Sequence, residues 1–120
     1  MDRCPACNTR VVRVASVTGL HCTGDDRSIV LWDCPLCKQS YLDDFVDAWL
    51  SDRTEMVQRG FGPLDPADRE RVVKAFAACP KPLRAGCRCG ADEIADEIIG
   101  RLAQVSLLVQ PGKPTPTHSH

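Results

Sequence analysis

Aromatic side chains make up only 5% of this chain of 120 residues, and histidine occurs three times. The first shortage denies the core its largest anchors, so it must lean on aliphatic residues. The second leaves little material for histidine-based acid–base chemistry. No apolar run approaches bilayer-spanning length, and Asp2, Arg3 and Cys4 stand where a secretory leader would begin its apolar stretch. A cytoplasmic location is the resulting expectation. Charge of one sign is also lacking: the net value is −1, with residues 1 to 39 at +1, 40 to 78 at −3 and 79 to 120 at +1. No third forms a basic patch, which disfavours a nucleic-acid footprint. Gly60-Phe61-Gly62-Pro63 matches neither phosphate-binding glycine pattern, and the His-x-Glu plus Pro-Cys-x-x-Cys set of a zinc deaminase is missing. The chain is therefore not expected to be an enzyme.

What the chain has in quantity is cysteine, eight residues in all. At this length the buried core is modest, so bound metal would contribute to holding it together. In a reducing compartment such cysteines read as metal ligands rather than disulfides. Cys4-Pro5-Ala6-Cys7 and Cys34-Pro35-Leu36-Cys37 are matched turns, each presenting two thiolates from one tight loop. Two such knuckles supply the four sulfurs of a structural zinc site, which makes Cys4, Cys7, Cys34 and Cys37 the first candidate site. The gap of 26 residues between them exceeds the usual spacing of about 15 to 20, and the turn-forming stretch Cys22 to Ser28 accounts for the excess.

Cys79, Cys87 and Cys89 crowd into a Pro- and Gly-rich stretch and form a second candidate site. Cys22 serves as its fourth ligand, or His21 beside it in the alternative. Two bound Zn2+ ions are expected. With four thiolates on each, the folded chain would carry a charge of roughly −5.

Around the first site, Arg10 to Val17 is β-branched and roughly alternating, Thr18-Gly19 turns it, and Ile29 to Trp32 forms a second strand running into the second knuckle. Beyond Ser40 the pattern reads as helical. Asp43 suits the third helical position, and Tyr41, Phe45, Trp49 and Leu42, Val46, Leu50 form adjacent i, i+4 rows. That face is expected to pack on the ribbon rather than serve as a binding groove. Residues 53 to 64, with Gly60, Gly62 and Pro63, read as a connecting loop. Asp65-Pro66 starts a second helix with Val72, Val73, Phe76 and Ala77 as its buried stripe, ending near Cys79-Pro80. Ala91 to Val109 reads as a third helix carrying Ile94, Ile98, Ile99, Leu102, Val105 and Leu108 or Val109, with a strand over Val105 to Val109 as the alternative. From Pro111 the chain reads as a disordered tail.

The two knuckles flanking a β-hairpin resemble a zinc ribbon of the rubredoxin-like kind over about the first 38 residues. The resemblance implies that Cys4, Cys7, Cys34 and Cys37 bind zinc structurally, or iron as in rubredoxins. Asn8 and Lys38 occupy positions where such knuckles commonly carry glycine. For residues 40 to 120 no family suggests itself.

The expected fold class is a small α+β metal-bound domain. A zinc ribbon over residues 1–39 is followed by about three α-helices over 40–110, packed on the ribbon with the second cysteine cluster at 79–89, and by a tail over 111–120. The expected function is that of a non-enzymatic zinc-binding accessory or adaptor protein, acting through protein–protein interaction within a larger complex. One alternative is a nucleic-acid-binding zinc-ribbon regulator using Arg3, Arg10, Arg13, Arg27 and Lys38. Another is a rubredoxin-like iron electron-transfer protein. Neither a membrane nor a small-molecule substrate is expected.

Overall fold

Apolar strand-forming segments on both sides of the second knuckle organise the molecule as a sheet. The computed structural model describes residues 1–20, 26–49, 53–78 and 90–114. Strands β1 (Val12–Leu20), β2 (Asp26–Asp33), β3 (Ser40–Trp49) and β4 (Arg53–Phe61) precede helices α1 (Pro66–Ala78) and α2 (Ala91–Ile99), and β5 (Gln104–Pro114) closes the order. The five strands form one sheet in the order β1-β2-β3-β4-β5, and every neighbouring pair is antiparallel.

This corrects the expectation of a ribbon followed by about three helices. The expected helix from Ser40 is instead the central strand β3, Ser40–Trp49, and most of the expected loop over 53 to 64 is β4, Arg53–Phe61. The helix drawn from Ala91 to Val109 stops at Ile99 and yields to β5, in agreement with the alternative reading of Val105 to Val109. The i, i+4 rows in β3 misled because both of its faces are covered. Ser40, Tyr41, Leu42 and Asp43 are buried in succession, and a strand packed on both sides loses its alternation. In β4, Gly60 reflects crowding rather than a turn, since a Cβ there would meet Ser106 Oγ and the Met1 methyl. After α2, the amides of Gly100, Arg101 and Leu102 bond back to Asp96, Ile98 and Ile99, and the chain then extends. β5 runs through Pro114, past the point where a tail was expected.

Residues directly opposed in antiparallel strands share a face, so the register sorts the side chains. Val17, Ile29, Leu31 and Leu42 face the helices and pack with Leu64, Val72, Phe76, Ala91, Ala95 and Ile98. α1 forms where expected: Asp65 Oδ1 accepts from the Asp68 amide at 2.8 Å, and Pro66 opens the first turn. Val72 and Phe76 are buried, whereas Ala77 is exposed. On the opposite face Trp32 and Tyr41 pack with Cys4, Val11 and Cys34.

Ion pairs fasten the helices to the sheet. Arg27 spans two carboxylates, donating from Nε to Asp44 at 2.8 Å and from Nη2 to Asp96 on α2 at 2.6 Å. Arg69 on α1 forms a two-pronged pair with Asp33 at 3.1 and 2.7 Å, and Ser40 Oγ donates to the same carboxylate at 2.7 Å. Bonding to Arg69, helped by Ser40, holds the Asp33 carboxyl below its ordinary range against the opposing effect of burial.

A carboxyl that titrates lower when folded than the ordinary value of about 3.9 adds stability above that pH and loses it as pH falls through the lowered value. The stability difference between the wild type and Asp33→Asn, from urea unfolding at fixed metal, is therefore expected to be full at neutral pH and to shrink below about pH 4. A difference that stays constant into strong acid would contradict this role for the pair.

Candidate metal centre

Each CxxC turn is shaped by its own backbone. In the first, the Cys4 amide donates to Thr9 O and the Asn8 amide to Cys4 O, both at 2.8 Å. In the second, the Cys34 amide donates to Gln39 O at 2.8 Å and the Lys38 amide to Cys34 O at 3.0 Å. This shared geometry places Asn8 at φ 61° and Lys38 at φ 65°. The absence of glycine therefore leaves both knuckles intact. At Lys38 the left-handed backbone costs roughly 1–2 kcal/mol, which the closed loop must offset.

β2 delivers the second knuckle directly, and an isolated bridge between Arg3 and Arg10 squares off the first. The four sulfurs then lie within 4.8 Å of one another, with Cys4 to Cys37 at 3.6 Å and Cys7 to Cys34 at 3.4 Å. These distances exclude disulfides, whose sulfurs lie about 2.05 Å apart, and all four cysteines are free. A tetrahedron with metal–sulfur arms of about 2.3 Å has edges of about 3.8 Å, so the cluster fits a four-thiolate ion with little adjustment. Sulfur donors in this geometry suit zinc and also iron.

The electrostatics point the same way. Burial opposes ionisation of Cys4, yet the amides of Cys7 and Ala6, with the Tyr41 hydroxyl and Cys37, draw its thiol down to about 6. The Cys37 amide does most to lower Cys34, against its burial. Cys37 receives the Gln39 amide, but burial and the sulfurs of Cys34, Cys4 and Cys7 hold its proton on, to about 12. Sulfurs this close cannot all ionise without a cation among them, and a divalent ion removes that conflict.

Sequence reasoning missed the residues that support this centre. Tyr41, taken for a helix face, lies 2% exposed with its hydroxyl oxygen 3.7 Å from Cys4 Sγ. Burial and the neighbouring Cys4 sulfur keep its own proton firmly in place, leaving it a donor to the thiolate. Gly62, at φ 150°, lets the chain pass under this ring, because a Cβ there would come within 2.6 Å of Tyr41 Cδ1. Beside Tyr41, Asp43 receives the Met1 ammonium and Gln58 Nε2. The available signal was position: Tyr41 follows the second knuckle by four residues, close enough to fold back over it.

Cys22, Cys79, Cys87, Cys89 and His21 lie outside the described residues. Comparison with protein-family models, with curated proteins and with solved structures returned no match. The class of protein is thus defined by the site itself: a chain whose four-cysteine group could hold a metal ion, compatible with a zinc-binding module.

Removing the Tyr41 hydroxyl takes away the hydrogen bond that steadies Cys4. Tyr41→Phe is expected to keep the fold and hold zinc about tenfold more weakly in a chelator competition. Unchanged affinity would show that the hydroxyl does not act on the metal. Cys34→Ser is expected to unfold the knuckle end of the sheet, since structural zinc supplies roughly 10–16 kcal/mol in small peptides, as much as a whole domain's net stability. Soluble mutant protein that melts cooperatively would contradict it.

Proposed function

We propose that this chain is a non-enzymatic zinc-binding accessory or adaptor protein, working by protein–protein contact within a larger cytoplasmic complex. The observation that carries the reading is the closed sulfur set. Four cysteines converge on one point, with Cys4 3% and Cys34 1% exposed. An ion held by all four keeps no open position for water or substrate, the arrangement of structural rather than catalytic zinc. Cytoplasmic placement is supported by chemistry that needs reduced thiols. No helix among the described residues is long and apolar enough to cross a membrane.

The proposal includes a second zinc on Cys22, Cys79, Cys87 and Cys89, with His21 as the other candidate for the fourth position. Its support comes from the flanking elements. Arg27, five residues after Cys22 in the sequence, is bonded to Asp96 on α2, the helix that begins at Ala91, two residues after Cys89. That pair ties the start of β2 to α2, which supports a shared site for the cysteines that precede each element.

The nucleic-acid reading retains one favourable observation. Arg3 and Arg10 oppose each other across a bridge and, with Arg13, are exposed. Arg27 no longer belongs to that set, because Asp44 and Asp96 occupy it. Binding to DNA or RNA that is absent even at low salt, where phosphate contacts are strongest, would end this reading.

Elemental analysis of the untagged protein tests the metal content. The expected result is two zincs per chain and no visible colour, falling to one in Cys22→Ser. An unchanged count in that variant would move the fourth position to His21 or another group. One zinc in the wild type would refute the second site, and iron with colour would favour electron transfer.

A further inference from the structure

β5 is a free edge of the sheet, with β4 on one side and, among the described residues, no strand on the other. Its apolar side chains stand in solvent: Leu107 is 57% exposed, Leu108 49% and Val109 50%. Edge strands are ordinarily blunted by charge, proline or a bulge. β1, the opposite edge, has both Arg13 and a register break between Arg13 and Ala15. β5 is protected only towards its ends, by Pro111, Lys113 and Pro114 and by register breaks at Arg53/Glu55 and Gly60/Phe61, whereas its middle, Ser106 to Gln110, is neutral and pairs with β4 without a break.

The strand also complements itself. Gln104-Val-Ser-Leu-Leu-Val-Gln110 reads nearly the same in both directions about Leu107. A two-fold axis through Leu107, normal to the sheet, preserves the faces and opposes residues of like parity, as an antiparallel ladder requires. It sets Val105 against Val109 of the second copy and Leu107 against its own equivalent. Leu107 and Val109 take the helix-side face, because they oppose Arg59 and Val57 and Arg59 opposes Asp44, while Val105 falls at the register break opposite Gly60/Phe61. On the other face Ser106 meets Leu108 of the second copy. There a groove of about 660 Å³, lined by Ser106 and Leu108, runs between the first knuckle and β5. A neutral strand meets its copy without like-charge repulsion.

We propose that this chain forms a two-fold dimer by antiparallel pairing of β5 with β5 of a second copy, centred on Leu107, joining two five-stranded sheets into one. The contact is about 24 Å long for a seven-residue strand. That places it at or below the small end of specific interfaces, so a weak dimer is expected, dissociating in the micromolar range or above. Both four-cysteine centres then lie on one side of the joined sheet and all the helices on the other.

Sedimentation velocity of the full zinc-loaded chain, from low micromolar to hundreds of micromolar, tests this, with circular dichroism and zinc content confirming that each variant folds. The wild type is expected to pass from monomer to dimer across that range. Leu107→Lys, which opposes two ammonium groups on the axis, should weaken the dimer at least about tenfold. Val105→Lys with Val109→Lys should be monomeric. Val105→Lys with Val109→Glu, which restores opposite charges at both crossings, should dimerise again. The proposal is overturned by a wild type that stays monomeric throughout, by a dimer indifferent to Leu107→Lys, or by a charge-swapped variant no better than the double lysine. A monomeric chain that loses a copurifying protein on Leu107→Lys would assign the edge to a foreign strand and overturn it equally.

Discussion

The pleat of β3 is the constraint on which the other parts depend. Tyr41 and Leu42 are consecutive, and a strand must send them to opposite faces. Leu42 is fully buried against the helices, while Tyr41 is buried against Cys4 and Cys34. Two separate cores, one aliphatic and one built around sulfur, are thereby joined through a single peptide unit. Displacing this strand by one residue would exchange the two faces and put a phenol among the helices and a leucine beneath the thiols.

The same alternation governs charge. Asp43 and Asp44 also point apart, and each finds a cation on its own side: the Met1 ammonium for Asp43 and Arg27 for Asp44. Buried carboxylates are costly unless paired, so these partners are conditions for the strand's position. Arg27 raises the stakes by bonding Asp96 as well, so one guanidinium links β2, β3 and α2. Desolvation works against that charge, but the two carboxylates outweigh it and hold the proton on more tightly than usual. The helical layer is thus keyed to the sheet by directional contacts as well as by apolar area.

The metal-site geometry was legible because CxxC chemistry is local: four residues define a turn, and two turns define a tetrahedron. The strands of the first hairpin and α1 were legible for similar reasons, through β-branched alternation and the Asp65-Pro66 start, but Thr18-Gly19, expected to turn the chain, is strand paired with Ser28 and Arg27. β3 was not, because its periodicity was read as though only one face were buried. β4 was hidden by Gly60, whose missing side chain makes room for Met1 and Ser106, residues remote in sequence. For β5, a short apolar run carries no period that separates strand from helix, and its partner strand lies beyond two intervening helices. Each miss is a case in which long-range packing overrode a local pattern.

The connection from β4 to β5 also has a consequence in time. Phe61 pairs with Gln104, so the last strand arrives only after both helices have been made. At synthesis rates of about 5–20 residues per second, the intervening chain of roughly 40 residues takes some 2–8 s to emerge. Throughout that interval β4 is the outermost strand, with its hydrogen-bonding edge open to whatever extended chain is near. The nascent protein thus passes through a stage with a different exposed border from the finished one, and its safe passage depends on how quickly the ribosome delivers the closing strand.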